Sequence, residues 1–274
     1  MLAGVSPVYV DRFARAWHRL STADMPEPHV LIIRKPRASV KRAFIRRKRM
    51  RYKRILLDAD DTLFDFQAGN RRAVTELMDE LGLTSPTVFD EYQSINHACW
   101  EALERGEMTQ AVLHVERFRR FLATKNRYDD PKAVADRFAE LLGRQAIPFP
   151  GAEDVVKALS EKLPVTLLTN GITVIQKARL ARSPIRQWID SAVISQEVGA
   201  AKPDPRIFEI ALNGLDPRDA LMIGDGVQSD VKGANRAGVD VCWYNPKGAA
   251  LPEGLHAEYE IRELRECLPI AFQE

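Results

Sequence analysis

Arg54-Ile55-Leu56-Leu57-Asp58-Ala59-Asp60-Asp61-Thr62-Leu63-Phe64 decides how this chain is read. Its apolar run, Ile55 to Leu57, is short and continuous, and it stops in three carboxylates and a hydroxyl. Such a run suits a parallel strand covered on both faces. Open α/β sheets bind ligands just beyond the carboxyl ends of strands of this kind. Three crowded acids repel one another, and a divalent cation is the simplest way to balance them. Asp58 and Asp60, separated by one residue, can also divide labour, one as nucleophile and the other as proton donor and acceptor. The same letters have a plainer use, because Asp and Thr after a strand often make a turn or a helix cap. Thr62 reads best that way.

Downstream the character changes. Gln67 to Leu81 carries Ala73, Leu77 and Leu81 at four-residue spacing and meets Gly82, a C-cap signal. Phe89 to Arg105 places Tyr92, Ile95, Cys99, Trp100 and Leu103 on one stripe before Gly106, and Thr109 to Lys125 does the same with Val112, Val115, Phe118, Phe121 and Leu122. Pro131 to Leu142 opens with Asp130-Pro131, a capping residue and a first-turn proline. Four amphipathic helices without a strand signal predict a helical cap over residues 67–146, inserted after one strand of an α/β core made from residues 50–66 and 147–274. The aromatic stripes read first as the interior of that bundle.

After Pro148-Phe149-Pro150-Gly151 strands and helices alternate: helix Ala152 to Lys162, strand Val165 to Leu168, helix Thr173 to Arg182, strand Ala192 to Ser195, helix Arg206 to Leu212, strand Ala220 to Ile223, a helix ending at Ala237, strand Val239 to Tyr244, and a last strand-helix pair from Tyr259 to Leu268. This order predicts a doubly wound parallel sheet.

Composition narrows the class. The 274 residues are 45% apolar and 28% charged, ordinary for a globular protein, and no apolar run approaches the length of a bilayer span. Cys99, Cys242 and Cys267 are scattered, which predicts reduced thiols in a cytoplasmic protein. The net charge of +2 divides unevenly: residues 1–49 hold 12 Lys or Arg against 3 Asp or Glu, and residues 50–274 hold 28 against 35. The predicted folded part is therefore acidic, and the basic isoelectric point belongs to the N-terminal segment. That segment combines an amphipathic stretch, Val8 to Leu20, with the run Arg46-Arg47-Lys48-Arg49. Its functional readings are an RNA- or membrane-surface patch, or a targeting segment. The reading preferred here is a disordered extension outside the fold, with Met50 as an alternative start immediately before the first core strand.

Polar groups gather at four strand ends or adjacent loops: Asp58, Asp60 and Thr62; Thr169 and Asn170; Lys202; and Asp225 with Asp230. In order and spacing they resemble the motifs of the haloacid dehalogenase-like hydrolases. Asp58-Ala59-Asp60-Asp61-Thr62 matches the DxDxT motif, Thr169 the second-motif hydroxyl, Lys202 the third-motif lysine, and Gly224-Asp225 to Asp230 the GDxxxxD motif. The helical insertion is similar to the C1 type of cap. The resemblance implies Asp58 as nucleophile, Asp60 as general acid and base, and Mg²⁺ held by the carboxylates of Asp58 and Asp225 and the backbone carbonyl of Asp60. Thr169, Asn170 and Lys202 would bind the phosphoryl group, and Asp230 would support from behind. A residue-level alternative for Asp230 is simply the start of the next helix.

Haloacid dehalogenases lack an aspartate at the place of Asp60, and phosphonoacetaldehyde hydrolases rely on a cap lysine, so both activities are set aside. A phosphomutase or a sugar-phosphate phosphatase shares the motifs and stays open. Asp58 to Phe66, Tyr92-Gln93-Ser94-Ile95-Asn96 with Trp100, Ile194 to Pro203, and Cys242-Trp243-Tyr244-Asn245 resemble the YjjG-type pyrimidine 5′-nucleotidases. That implies a phosphoric monoester hydrolase acting on UMP, dUMP and dTMP, monomeric or homodimeric, with Asn96 and Trp100 as candidates for contacting the base. Nucleic-acid association through residues 34–49 is the reading from another class.

Overall fold

The computed structural model describes residues 31–32 and 50–274. The expected helix from Val8 to Leu20 and the basic run before Met50 lie outside the described residues. The strands are β1 (Leu31–Ile32), β2 (Arg54–Leu57), β3 (Val165–Thr169), β4 (Ser191–Ile194), β5 (Ala220–Gly224), β6 (Asp240–Tyr244) and β7 (Tyr259–Ile261). They form one sheet in the order β1-β4-β3-β2-β5-β6-β7. Every pairing is parallel except that of β1, which lies antiparallel on β4 through Leu31↔Ala192 and Ile32↔Ser191. The doubly wound parallel sheet expected from the alternation is therefore present. Two residues of the N-terminal segment join it, which the sequence reading did not anticipate.

Both faces of the sheet are buried, which explains why the strands read as continuous apolar runs. Ile55 and Leu57 join Leu167, Leu221 and Ile223 beneath α5 (Ala152–Lys162), on one face. Leu56 faces the other way with Leu168, Val193 and Met222, beneath Ile207, Phe208 and Ala211 of α8 (Pro205–Leu212), which follows the short α7 (Ser195–Val198). Strand order reverses between β2 and β5, whose neighbours run outward on either side. In open sheets that reversal opens a crevice at the carboxyl ends. Here those ends are Asp58 and Gly224-Asp225.

Between β2 and α5 run α1 (Phe66–Glu80), α2 (Val88–Glu104), α3 (Gln110–Thr124) and α4 (Pro131–Gly143). Side chains cap three of their N-termini, of which Asp130-Pro131 was expected. The Asp65 carboxylate accepts from the Ala68 N–H at 2.8 Å, the Thr109 hydroxyl from the Val112 N–H at 3.3 Å, and Asp130 from Lys132 and Ala133 ahead of Pro131. Gly82 and Gly106 sit at φ +70° and +76°, past the ends of α1 and α2. The four helices share a cluster of Val74, Leu77, Tyr92, Phe118, Phe121 and Phe138, which also takes in Ile172 and Ile175 beside β3. Tyr92 stacks on Phe118 at 5.3 Å between ring centres. Val112 departs from the predicted stripe and is 51% exposed, because the first turn of α3 lies at the rim and Leu113 turns inward instead. Among the described residues no helix is long and apolar enough to cross a membrane, and the three cysteines are free and buried.

Candidate active site

The crevice at the switch point collects charge. Asp58 continues β2, its N–H donating to the Ile223 carbonyl at 2.9 Å, so its side chain emerges where β2 and β5 diverge. Asp225 follows β5 and is fixed from two directions. The Thr62 hydroxyl donates to Asp225 Oδ1 at 3.1 Å while the Asp225 N–H donates back to the same hydroxyl, and the Trp243 indole N–H donates to the Asp225 carbonyl at 3.0 Å. Thr62, read from sequence as a turn group, is a clamp between the two strand ends.

A single π turn, Val227–Val231, brings Asp230 back over the strand end. Gly226 donates its N–H to Asp230 Oδ2 at 2.9 Å. A side chain on Gly224 would overlap that same carboxylate, so glycine is what lets Asp230 approach. Asp230 is thus more than the start of a helix. One carboxylate oxygen from each of Asp58, Asp225 and Asp230 lies within 4.8 Å of the others.

Lys202 is the counter-charge. Its buried Nζ donates to Asp58 Oδ1 at 2.5 Å and to the Leu168 carbonyl at 2.8 Å, and pairs with Asp230 Oδ1 at 2.7 Å. Its backbone is gripped by the Asn170 amide, which donates to the Lys202 carbonyl and accepts the Lys202 N–H, each at 2.8 Å. The Asn170 side chain, expected at the phosphoryl group, is therefore spent on holding the lysine loop.

Burial raises Asp58 well above the ordinary carboxylate range, opposed by Lys202 and reinforced by the charges of Asp230 and Asp225. Burial and then Asp230 push Asp225 up to about 6. Lys202 is lowered by burial, but the two facing carboxylates outweigh this and hold it above its usual value. Two buried acids and the half-buried Asp225 against one lysine leave negative charge uncompensated, and oxygen donors this close suit a hard divalent cation.

The three acids of the opening stretch do not stay together. Asp61 adopts a left-handed conformation, φ 59°, and turns the chain so that its carboxylate accepts from the Phe66 N–H at 3.1 Å and from Gln67 at 2.8 Å. Asp60 faces α6 (Thr173–Arg182), where Gln176 Nε2 donates to it at 2.8 Å and Arg179 forms an ion pair with it. Its carboxylate is thus not part of the acidic trio. The crowding expected within the motif is instead between Asp58, Asp225 and Asp230, on different strand ends and loops.

Gln176 also donates to the Thr169 hydroxyl at 3.1 Å, so one amide ties the second motif to Asp60. Arg179 donates to the Gln145 carbonyl at 3.2 Å and lies 5.0 Å from the Phe64 ring centre. Neither Gln176 nor Arg179 was picked out from sequence. Their signal was faint: two polar residues three apart on a helix whose neighbours Ile175 and Leu180 face inward. Above Asp60 a cavity is lined by Asn96, Trp100, Arg117 and Phe138 from the inserted helices and by Asn170 and Gln176 from the core. Asn96 and Trp100, the candidates for contacting the base, both line this cavity, and Asn96 Oδ1 is already engaged by Arg117 at 3.1 Å.

The family model of haloacid dehalogenase-like hydrolases matches residues 52–238. The chain is 33% identical over 227 residues to pyrimidine 5′-nucleotidase PynA of Streptococcus pneumoniae, covering 80% of this chain and 96% of that protein. It is 32% identical over 222 residues to pyrimidine 5′-nucleotidase YjjG of Escherichia coli, covering 79% and 96%. Among solved structures, the magnesium-bound HAD-hydrolase YfnB of Bacillus subtilis superposes with a TM-score of 0.74 at 28% identity, covering 81% of this chain and 99% of that one. With the matched region running from β2 to the end of α9 (Lys232–Ala237) and enclosing every charged residue of the crevice, this chain belongs to the haloacid dehalogenase-like hydrolases.

Proposed function

We propose that the protein is a Mg²⁺-dependent phosphomonoesterase acting on pyrimidine nucleoside 5′-monophosphates. The observation that carries the reading is the separation of two carboxylates two residues apart. Asp58 sits in the charged trio against Lys202, and Asp60 stands at the cavity beside Gln176. The names of the two nucleotidase relatives support the substrate class.

In the reaction an Asp58 carboxylate oxygen attacks phosphorus as the bond to the nucleoside 5′ oxygen breaks, and Asp60 gives its proton to that oxygen. Asp60 then takes a proton from water whose oxygen attacks the phosphoryl group, releasing phosphate and restoring Asp58. Thr169 and Lys202 hold the phosphoryl oxygens, and Asp230 keeps Lys202 in place. Mg²⁺ would be held by Asp58, Asp225 and the Asp60 carbonyl, and when bound it supplies positive charge beside the phosphoryl oxygens. The inserted helices act as a cap whose closure keeps bulk water from the acyl phosphate.

Phosphate release from UMP, dUMP and dTMP, beside a panel of sugar phosphates, tests the reading. Release should vanish with EDTA and return with Mg²⁺. Metal-independent release, or release confined to sugar phosphates, would refute the metal or the substrate respectively.

Asp60→Asn should lower kcat on UMP by about 10²- to 10⁴-fold, the usual range for a positioned acid-base group. The loss in kcat/KM, which stops at formation of the acyl phosphate and so excludes its Asp60-assisted hydrolysis, should be much smaller on p-nitrophenyl phosphate, whose leaving group departs without a proton. Equal losses in kcat/KM on both substrates would remove Asp60 from the acid role.

A further inference from the structure

Arg117 lies in the interior of α3 and is 4% exposed. Of its three guanidinium nitrogens only Nη1 has a protein acceptor, Asn96 Oδ1 at 3.1 Å. Nε and Nη2 are buried without one among the described residues. Those two nitrogens form the side edge of the guanidinium, the edge that donates two parallel or convergent hydrogen bonds. A buried cation with an unmet donor pair is costly. This one lines the same cavity as Asp60, with Trp100, Phe66 and Phe138. The arginine carbon lies 4.8 Å from the Phe138 ring centre and 5.1 Å from that of Phe118. Those ring faces offset part of its charge.

We propose that Arg117 is the residue that reads the base: its Nε and Nη2 donate to a ring carbonyl oxygen of the pyrimidine, and Asn96 positions the fork. The assignment rests on the pyrimidine nucleotidase reading. Its chemistry follows from Arg117 being a donor only. Uracil and thymine offer carbonyl oxygens at positions 2 and 4, cytosine at position 2, and adenine none. The aromatic walls suit a flat ring, and the partial balance of charge by Phe118 and Phe138 lets a neutral acceptor complete the site. Asn96, expected to touch the base itself, acts one step behind it.

The test compares Arg117→Met with wild-type protein on UMP and p-nitrophenyl phosphate. The ratio of kcat/KM for UMP to that for the aryl phosphate should fall about 10- to 100-fold, the range for hydrogen bonds to a charged donor. Arg120→Met, on the exposed side of the same helix, should leave the ratio unchanged. The melting temperature of Arg117→Met should match or exceed that of wild type, since a buried unpaired charge is gone. The 2-thio and 4-thio analogues of UMP identify the oxygen: wild type should lose activity on one of them, and Arg117→Met should no longer distinguish that analogue from UMP.

An unchanged substrate ratio overturns the assignment. So does a parallel loss of both activities with a lower melting temperature, which would make Arg117 structural. Indifference of wild type to both thio analogues also overturns it, as does a preference for phosphorylated hydroxy or amino acids, which would put a carboxylate on the fork. Wild-type protein that favours sugar phosphates over UMP sinks the pyrimidine reading itself. Wild-type protein that favours UMP, with Arg117→Met keeping that preference, leaves the reading intact and removes only the arginine.

Discussion

Asp58→Asn should abolish phosphate release, by about 10⁴-fold or more, in a protein that folds as well as wild type. The substitution is nearly isosteric, and the side-chain oxygen that accepts from Lys202 Nζ can be kept. What is lost is the negative charge and the lone pair that attack phosphorus. Structure should not suffer, because Asp58 is one of three acids whose oxygens lie within 4.8 Å of one another, and its own proton affinity is raised by burial and by the other two. Removing one charge from such a cluster relieves repulsion. Without added metal, the variant should therefore melt no lower than wild type. A variant that keeps more than about a tenth of wild-type kcat would rule Asp58 out as the nucleophile. Loss of activity together with loss of fold would instead mean that Asp58 matters mainly as the partner of Lys202.

How much of this was legible in the chain depends on where each signal came from. The sheet was readable because the strands are buried on both faces, so Ile55-Leu56-Leu57 and Ala220 to Ile223 carry no polar interruption. The helices were readable because Asp130-Pro131 and Gly82 mark their ends with local chemistry. The acids and Lys202 were readable from order and spacing along the sequence. The partnership of the acids was not, since it depends on a turn at Asp61 that sends Asp60 to α6 and leaves Asp58 with Asp225 and Asp230. Asn170 gave no sign that its amide would close on the Lys202 backbone, 32 residues away. Gln176, Arg179 and Arg117 were missed for a shared reason. A polar residue on a helix is ordinarily a surface residue, and only tertiary packing shows that these three are buried. The pairing of β1 was equally silent, because two residues carry no periodicity.

Lys202→Met should cost about 3–5 kcal/mol of stability in urea unfolding, the usual loss when one partner of a buried ion pair is removed. An exposed lysine would cost within about 0.5 kcal/mol. Methionine fills a similar volume, so little of the loss comes from packing. The loss is electrostatic. Nζ serves Asp58, Asp230 and the Leu168 carbonyl together, and without it two buried carboxylates face each other and a carbonyl has lost its donor. Adding Asp230→Asn to Lys202→Met should then recover part of the stability, a non-additive result expected only for groups in one charged network. Phosphate release should fall in both variants, because the phosphoryl oxygens lose the same cation. If Lys202→Met were as stable as wild type, the lysine could not be the charge that holds Asp58 and Asp230 together. If the double variant were weaker by the sum of its parts, Asp230 would act on the crevice through Gly226 rather than through the lysine. The outcome therefore separates the two contacts that Asp230 makes, and it does so through stability, independently of which phosphomonoester the protein hydrolyses.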